Sequence, residues 1–325
     1  MCTVALGRAV EVALSKPLSD SGIDRVHIAH QIVSGAVEDV NPSLKLYAFG
    51  STSVYGFHER NSDVDFVVLR EEDIADGKGE DSQSQLAKGL QSELLVKLGR
   101  RLQDSHLDWT VDAVKRARVP VVKIKSKTLD FDITAFRRNG VRNSALLRAY
   151  MTQNPDMRWV SLAVKHWSKR CGMNGPLGYL TSYGFNILVV YFLLQRGLLK
   201  FVDPDSCCAS TIDPLPSGLP LSSPSDPELI GKLLMDFLHY YKNEFNVQND
   251  VVTLSREGRT TKQQLNWTKE AEDIKLINSE KVAYRLCIED PYEINLNVGR
   301  KVTAFKLDMM MRTFDKGIQT GMGYL

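Results

Sequence analysis

Residues 49–66 read FGSTSVYGFHERNSDVDF. A glycine-punctuated turn is followed by Asp63 and Asp65, two apart, in the apolar run Val64-Asp-Phe-Val-Val-Leu69. Positions two apart in a strand face the same side, so this run predicts a strand presenting two adjacent carboxylates. Two like charges so placed are costly unless a cation joins them. Gly50-Ser51 opens the turn, and the backbone N–H groups and hydroxyl of such a turn suit phosphate oxygens. Each feature alone is ordinary: Gly-Ser marks many plain turns, and D-x-D marks many calcium loops and strand ends.

Upstream, Leu44, Leu46, Tyr47 and Phe49 predict a short strand. Before it, residues 1–40 show helical spacing (Val10, Val12, Ala13, then Ile28, Ile32, Val33, Ala36), broken by the turn KPLSDSG at 16–22. Downstream, the acidic stretch 70–83 reads as a solvated loop, and leucines from Leu86 to Leu102 predict a helix over 84–104. VPVVKIK (119–125) and LDFDITAF (129–136) read as a hairpin. In its second arm Asp130 and Asp132 share the polar face, so either completes a three-carboxylate cluster with Asp63 and Asp65. Such a cluster calls for hard cations; magnesium takes a few carboxylates plus substrate phosphates, the layout of two-metal phosphoryl transfer.

From 144 onward helices dominate: 144–151, 156–171, 182–196, 228–243, 268–282 and 298–315. The Pro- and Ser-rich stretch 203–227 is a loop. The expected fold is therefore α+β in two domains: a small mixed-sheet catalytic domain over 41–137, and a mainly helical domain from 1–40 and 138–325.

Composition narrows the function classes. With 41 Lys plus Arg against 39 Asp plus Glu the net charge is +2, so bulk charge predicts no partner and nucleic-acid contacts must come from local clusters. Five cysteines without metal-type spacing predict reduced thiols and no zinc site, and His27 and His30 read as part of a surface helix. The longest apolar stretch, FNILVVYFLL at 185–194, is too short for a membrane span and is interrupted by Asn186. The N-terminal MCTVALGRAVEVALSKP makes a poor targeting peptide; the expected compartment is the cytoplasm, with a mitochondrial location as the alternative.

FGSTSVYGF, SDVDFVVL, LDFDITAF followed by NGVRNSALLRAY, and IEDPYEINLNVGR together resemble the polymerase-β-type nucleotidyltransferases. More narrowly they resemble the terminal uridylyl and poly(A) transferases, in the minimal form found in trypanosomatids. The resemblance implies an active site in a cleft between the two domains. It implies RNA 3′-terminal uridylyl transfer: UTP and a single-stranded RNA 3′ end as substrates, and two Mg2+ ions, with Mn2+ able to substitute. With no appended RNA-binding module, it leaves room for a protein partner that delivers the RNA.

By that resemblance Asp63, Asp65 and Asp132 are the catalytic metal ligands, Asp132 being preferred to Asp130. Phe49, Gly50, Ser51 and Ser62 fall at nucleotide-binding positions, Gly50 and Ser51 on the β- and γ-phosphates. Lys165 and Lys169, at i and i+4, would clamp the triphosphate, although a solvated helix face has the same spacing. Ser182 would reach phosphate and Tyr183 would stack on the base, where a helix N-cap and a core ring are the plainer readings. Asn143 and Ser144 would contact ribose and base edge; the same residues suit an N-cap. Asp290 and Glu293 would accept from uracil N3–H, directly or through a held water, and so choose the base. Some uracil-preferring relatives carry a His where this chain has Leu296, so the choice rests on the acidic pair. Arg118 and Lys123, in the basic stretch 114–127, would border the RNA path; a charged edge strand is the alternative. Poly(A) polymerase activity on the same scaffold and, more distantly, small-molecule nucleotidyl transfer are the competing functions.

Overall fold

The computed structural model describes residues 3–18, 22–59, 62–70, 85–114, 119–175, 179–207, 212–267, 275–277, 280–282, 284–293 and 295–323. Two compact units emerge: a sheet unit of Pro17–Arg148 with Pro204–Leu221, and a helical unit of Met1–Lys16, Ala149–Asp203 and Ser222–Leu325.

In the sheet unit, helix α2 (Ile23–Val40) leads into β1 (Leu44–Phe49), the short helix α3 (Gly50–Tyr55) and β2 (Val64–Arg70). Helix α4 (Gln85–Ser105), β3 (Thr110–Val114), β4 (Val121–Lys125), β5 (Asp130–Ala135) and α5 (Arg138–Gln153) follow. The sheet order is β1-β2-β5-β4-β3, with β2 and β5 parallel and the other neighbours antiparallel. One face carries Leu44, Leu46, Ala48, Val64, Phe66, Val68, Val122, Ile124, Phe131 and Ile133, packed on Val26, Ala29, Val33 and Val37 of α2 and Leu95, Leu98 and Leu102 of α4. Burying each such side chain stabilises by about 1.5–3 kcal/mol, which fixes the strand parity and sends the aspartates to the other face.

The boundaries differ from the expected 41–137. Helix α2 belongs with the sheet because it covers the sheet's apolar face. His30, expected on a surface, donates its Nε2–H to the Leu46 carbonyl at 3.1 Å. The loop before 222 returns to this unit: Ala48 N–H donates to Pro214 C=O and Leu219 N–H to Gly56 C=O, each at 2.7 Å. Ile28 and Val12, expected inward, are exposed; the buried stripes run through Val26, Ala29 and Val33, and through Leu6, Val10 and Leu14 of α1 (Thr3–Leu18).

The helical unit contains α1, α6 (Pro155–Arg170), α7 (Ser182–Gln195), α8 (Pro227–His239) running into a π-helical turn (Tyr240–Glu244), and α9 (Ala304–Thr320). An aromatic cluster of Phe192, Phe237, Tyr240, Tyr241 and Phe245 forms its centre, and Phe314 of α9 reaches Phe237 and Trp167. Asn186, the polar break in the apolar stretch, accepts from Ser161 Oγ at 3.1 Å and so couples α7 to α6. No helix among the described residues is long and apolar enough to cross a membrane. Cys171, Cys207 and Cys287 are free thiols.

Three expectations change. Within the helix expected at 268–282, Lys275–Ile277 and Glu280–Val282 pair as antiparallel strands β6 and β7, while 268–274 and 278–279 lie outside the described residues. The last helix begins at Ala304 rather than 298, where Thr303 Oγ1 caps it by accepting from Lys306 N–H. Strand β3 was not foreseen; TVDAV alternates, but it is a five-residue edge strand with no fully buried side chain.

Candidate active site

One row of lateral partners crosses the sheet: Phe49, Asp65, Asp132, Lys123, Asp112. Asp65 and Asp132 are therefore direct neighbours on parallel strands, with Asp63 two residues before Asp65. Of the two candidates for the third carboxylate, Asp132 is the one paired with Asp65 on β2, while both face a lysine of β4, Asp132 opposite Lys123 and Asp130 opposite Lys125. Lys123 Nζ donates to Asp132 Oδ2 at 2.7 Å. That hydrogen bond, with attraction from Asp63 and Asp65, raises the lysine above its ordinary pKa against its partial burial. Lys123 was expected beside an RNA path; its ammonium is turned to the carboxylates. Arg118 lies outside the described residues.

Among the described residues no three Asp, Glu, His or Cys side chains already converge as a cation cage. The donor set nonetheless suits a hard cation: it is oxygen-only, and a positive group already bonds one member and feels the other two.

The turn beside this row is built around glycine. Gly50 has φ +74°, and a Cβ there would collide with the Asp65 carboxylate. Its N–H donates to Ser144 Oγ at 2.8 Å, and Ser144 Oγ donates in turn to Gly140 C=O at 2.7 Å. Ser144, expected to contact nucleotide, is thus a buried strut between α5 and the turn. Phe49 precedes α3 in extended conformation, its ring so close to Gly140 that a Cβ there would lie 2.9 Å away. Ser51 and Asn143 are half-buried, and Asn143 lies inside α5 rather than capping it. Ser62, half-buried just before Asp63, donates through both N–H and Oγ to Glu59 C=O.

In the helical unit, α6 is capped by Asn154, whose side chain accepts from Asp156 N–H at 3.0 Å. Lys165 is 2% exposed whereas Lys169 is exposed, so the pair is not one solvated face. A relay missed by sequence reading joins α6 to α7. Ser182 Oγ donates to Asn174 Oδ1 (3.3 Å), Asn174 Nδ2 to Ser168 Oγ (3.1 Å), and Ser168 Oγ to Lys165 C=O (2.9 Å). Thr181, not Ser182, caps α7 by accepting from Gly184 N–H.

Tyr183 donates its hydroxyl to Asp290 Oδ2 at 3.0 Å. Burial of the hydroxyl end, and then the Asp290 and Glu293 charges, push its pKa well up, while the residue as a whole is half-buried. Asp290 Oδ1 accepts from the N–H groups of Tyr292 and Glu293, both at 2.9 Å. The loop is braced from behind by Asn297, whose Oδ1 accepts from Ile288 and Gly299 N–H while Nδ2 donates to Leu286 C=O. Lys262, 2% exposed, donates to the carbonyls of Val247, Tyr284 and Arg285 just ahead of it. Lys262 lies outside every motif, and Asn297, though inside the stretch IEDPYEINLNVGR, had no role assigned to it.

Comparison with known proteins bears on both units. Residues 14–152 match the family model described as the central palm domain of mitochondrial-like poly(A) RNA polymerase. Residues 229–296 match the Cid1 family poly A polymerase model. Terminal uridylyltransferase 4 of Trypanosoma brucei brucei is 51% identical over 313 residues, 95% of this chain and 93% of that protein. The solved structure of Terminal uridylyl transferase 4 from Trypanosoma brucei with bound UTP and UMP superposes with TM-score 0.93 at 49% identity, covering 100% of both chains. The same relative with UTP and UpU gives TM-score 0.89 at 48% identity, again over 100% of both.

Proposed function

The chain belongs to the Cid1 family of terminal nucleotidyltransferases and is an RNA 3′-terminal uridylyltransferase, and from that premise we propose how its two units divide the work. The observation that carries the division is the Asp65–Asp132 row beside the Gly50 turn in one unit, against the hydrogen-bonded Tyr183–Asp290 pair in the other.

The sheet unit performs phosphoryl transfer. Asp63, Asp65 and Asp132 would hold two magnesium ions, with manganese as a substitute, and the bound ions would supply Lewis-acid activation of the 3′-hydroxyl and charge stabilisation for the leaving pyrophosphate. Asp132 would also accept the proton of that hydroxyl. Gly50 and Ser51 offer N–H and hydroxyl to the triphosphate, and Ser144 keeps the turn in register by holding Gly50. Atoms balance as UTP plus RNA 3′-OH giving RNA extended by UMP and pyrophosphate, with no covalent enzyme intermediate.

The helical unit grips the nucleotide. Lys165 and Lys169 neutralise the triphosphate, and the Ser182–Asn174–Ser168 relay sets the position of the Ser182 hydroxyl. Tyr183 stacks on the base, held by Asp290, which gives affinity without choosing a base. Base choice falls to the Asp290–Glu293 turn: uracil N3–H is a donor to a carboxylate or its bound water, where adenine N1 is an acceptor. Asp290 spends one oxygen on the turn's own N–H groups and the other on Tyr183, so Glu293 is the carboxylate assigned to the base. ATP as the preferred donor is not favoured, since the relatives matched along the whole chain are uridylyltransferases.

Purified protein, magnesium and a short single-stranded RNA, offered each nucleoside triphosphate separately, test this. UMP incorporation well above AMP, with Glu293→Gln narrowing the ratio, is the expected result. Equal use of ATP by the unaltered protein would overturn the base assignment.

A further inference from the structure

The base-recognition loop runs straight into α9. Val302 N–H donates to Gly299 C=O at 2.8 Å, and Lys306 Nζ lies 5.3 Å from the centre of the Tyr179 ring, shortly before Ser182 and Tyr183. The segment leading into α9 is thus bonded to the base-recognition loop, and the first turn of α9 meets Tyr179, both next to residues to which nucleotide contacts are assigned above. On that turn Phe305 is 71% exposed, and Met309, one turn further, is 38% exposed. Neither serves the core, which α9 reaches through Met310, Phe314 and Gly317. The surroundings are basic: Lys301 is exposed, Lys306 is half-buried, and the nearby acid Asp308 is paired with Arg312 at 2.9 Å.

We propose that Phe305, with Met309 beside it, is a stacking platform for a base of the RNA strand upstream of its 3′ end, and that Lys301 and Lys306 take the adjoining phosphates. A π-face rimmed by lysines is what a single strand requires, because every base can stack and the backbone is uniformly anionic. Continuity with the nucleotide loop and charge complementarity select RNA over a protein partner as the occupant. The platform recognises no sequence; it lengthens the footprint. The inference rests on the uridylyltransferase reading and adds a site to it.

The test compares a dodecameric oligouridylate with UpU as acceptors for the full chain and for Phe305→Ala and Phe305→Trp. Stacking of one base is worth about tenfold in affinity. Phe305→Ala is therefore expected to raise the ratio of dodecamer KM to UpU KM about tenfold and to weaken fluorescence-anisotropy binding of the dodecamer by the same factor. Phe305→Trp should restore both, with its added indole fluorescence quenched by the dodecamer. An unchanged KM ratio and anisotropy in Phe305→Ala, while the unaltered chain extends both acceptors, would sink the platform alone. The same result with a loss of self-association in sedimentation would assign the patch to a second copy of the chain and equally overturn the proposal. An unaltered chain that extends neither acceptor would overturn the underlying reading, and this proposal with it.

Discussion

In the sheet unit Asp65 and Asp132 stand side by side because strand register puts them there, and the neighbour that answers their charge is Lys123. In the helical unit Asp290 is satisfied from every side, by two backbone N–H groups and the Tyr183 hydroxyl. One arrangement leaves electrostatic demand for an incoming ion; the other spends its charge on fixing geometry before any ligand arrives. Substitutions should divide along the same line, the first unit losing turnover and the second losing affinity.

The largest effect is expected from Asp65→Asn, which keeps shape and removes charge. UMP transfer should fall by at least about 10³-fold with the thermal midpoint little changed. Activity within tenfold of the unaltered protein would break the comparison at its root. Next comes Gly50→Ala, which strains a φ of +74° and drives a methyl group into the Asp65 carboxylate. A misplacement of that size is expected to lower kcat about 10²-fold while KM for UTP moves far less.

The helical unit should answer differently. Asp290→Ala frees the turn and Tyr183 together, and KM for UTP is expected to rise about tenfold or more. Tyr183→Phe deletes one hydrogen bond and keeps the ring, for a rise of about fivefold. A fall in kcat without a change in KM for either variant would blur the distinction between the units. Lys123→Met tests the sheet unit from the opposite side. Without its resident ammonium, Mn2+ binding followed by electron paramagnetic resonance in the absence of nucleotide should tighten, by a few-fold only because the pair is partly exposed.

The smallest effect concerns pH. Burial, opposed by the Leu46 hydrogen bond, holds His30 below its ordinary pKa. Its folded value is lowered, so its contribution to stability is present above about pH 6.5 and lost as pH falls through the window below it. Denaturant unfolding at pH 7.5 and 5.5 should show a decrease of less than about 1 kcal/mol that His30→Gln removes.

How much of this was legible in the chain differs between the units for a physical reason. A strand's period of two is strict, so the shared face of Asp63 and Asp65, and of Asp130 and Asp132, could be read from spacing alone. Asp132 was preferred to Asp130 by resemblance alone; its place beside Asp65 comes from the β2–β5 register and that of Lys123 from the strand order, neither of which spacing encodes. Ser144 shows the same limit: its bond to Gly50 spans the chain from α5 to the turn, so a motif position that suggested ligand contact turned out to be a strut. In the helical unit, Tyr183, Asp290 and Glu293 were identified by resemblance, whereas the bonds that immobilise them come from loop geometry. The paired strands Lys275–Ile277 and Glu280–Val282 were read as part of a helix because three residues are too few for a period of two to show.

Lys123 partly neutralises the carboxylate row in its resting state. If Asp132 holds a divalent ion as proposed, that ion would exchange with an ammonium tethered to the next strand. The apparent metal affinity of the protein is then a competition constant, set by the free ion against the fixed local concentration of its own lysine, of millimolar order for a short tether. Because one cation replaces another, the net charge of the row changes less than a bare carboxylate cluster would require. Its dependence on background salt should be correspondingly shallow.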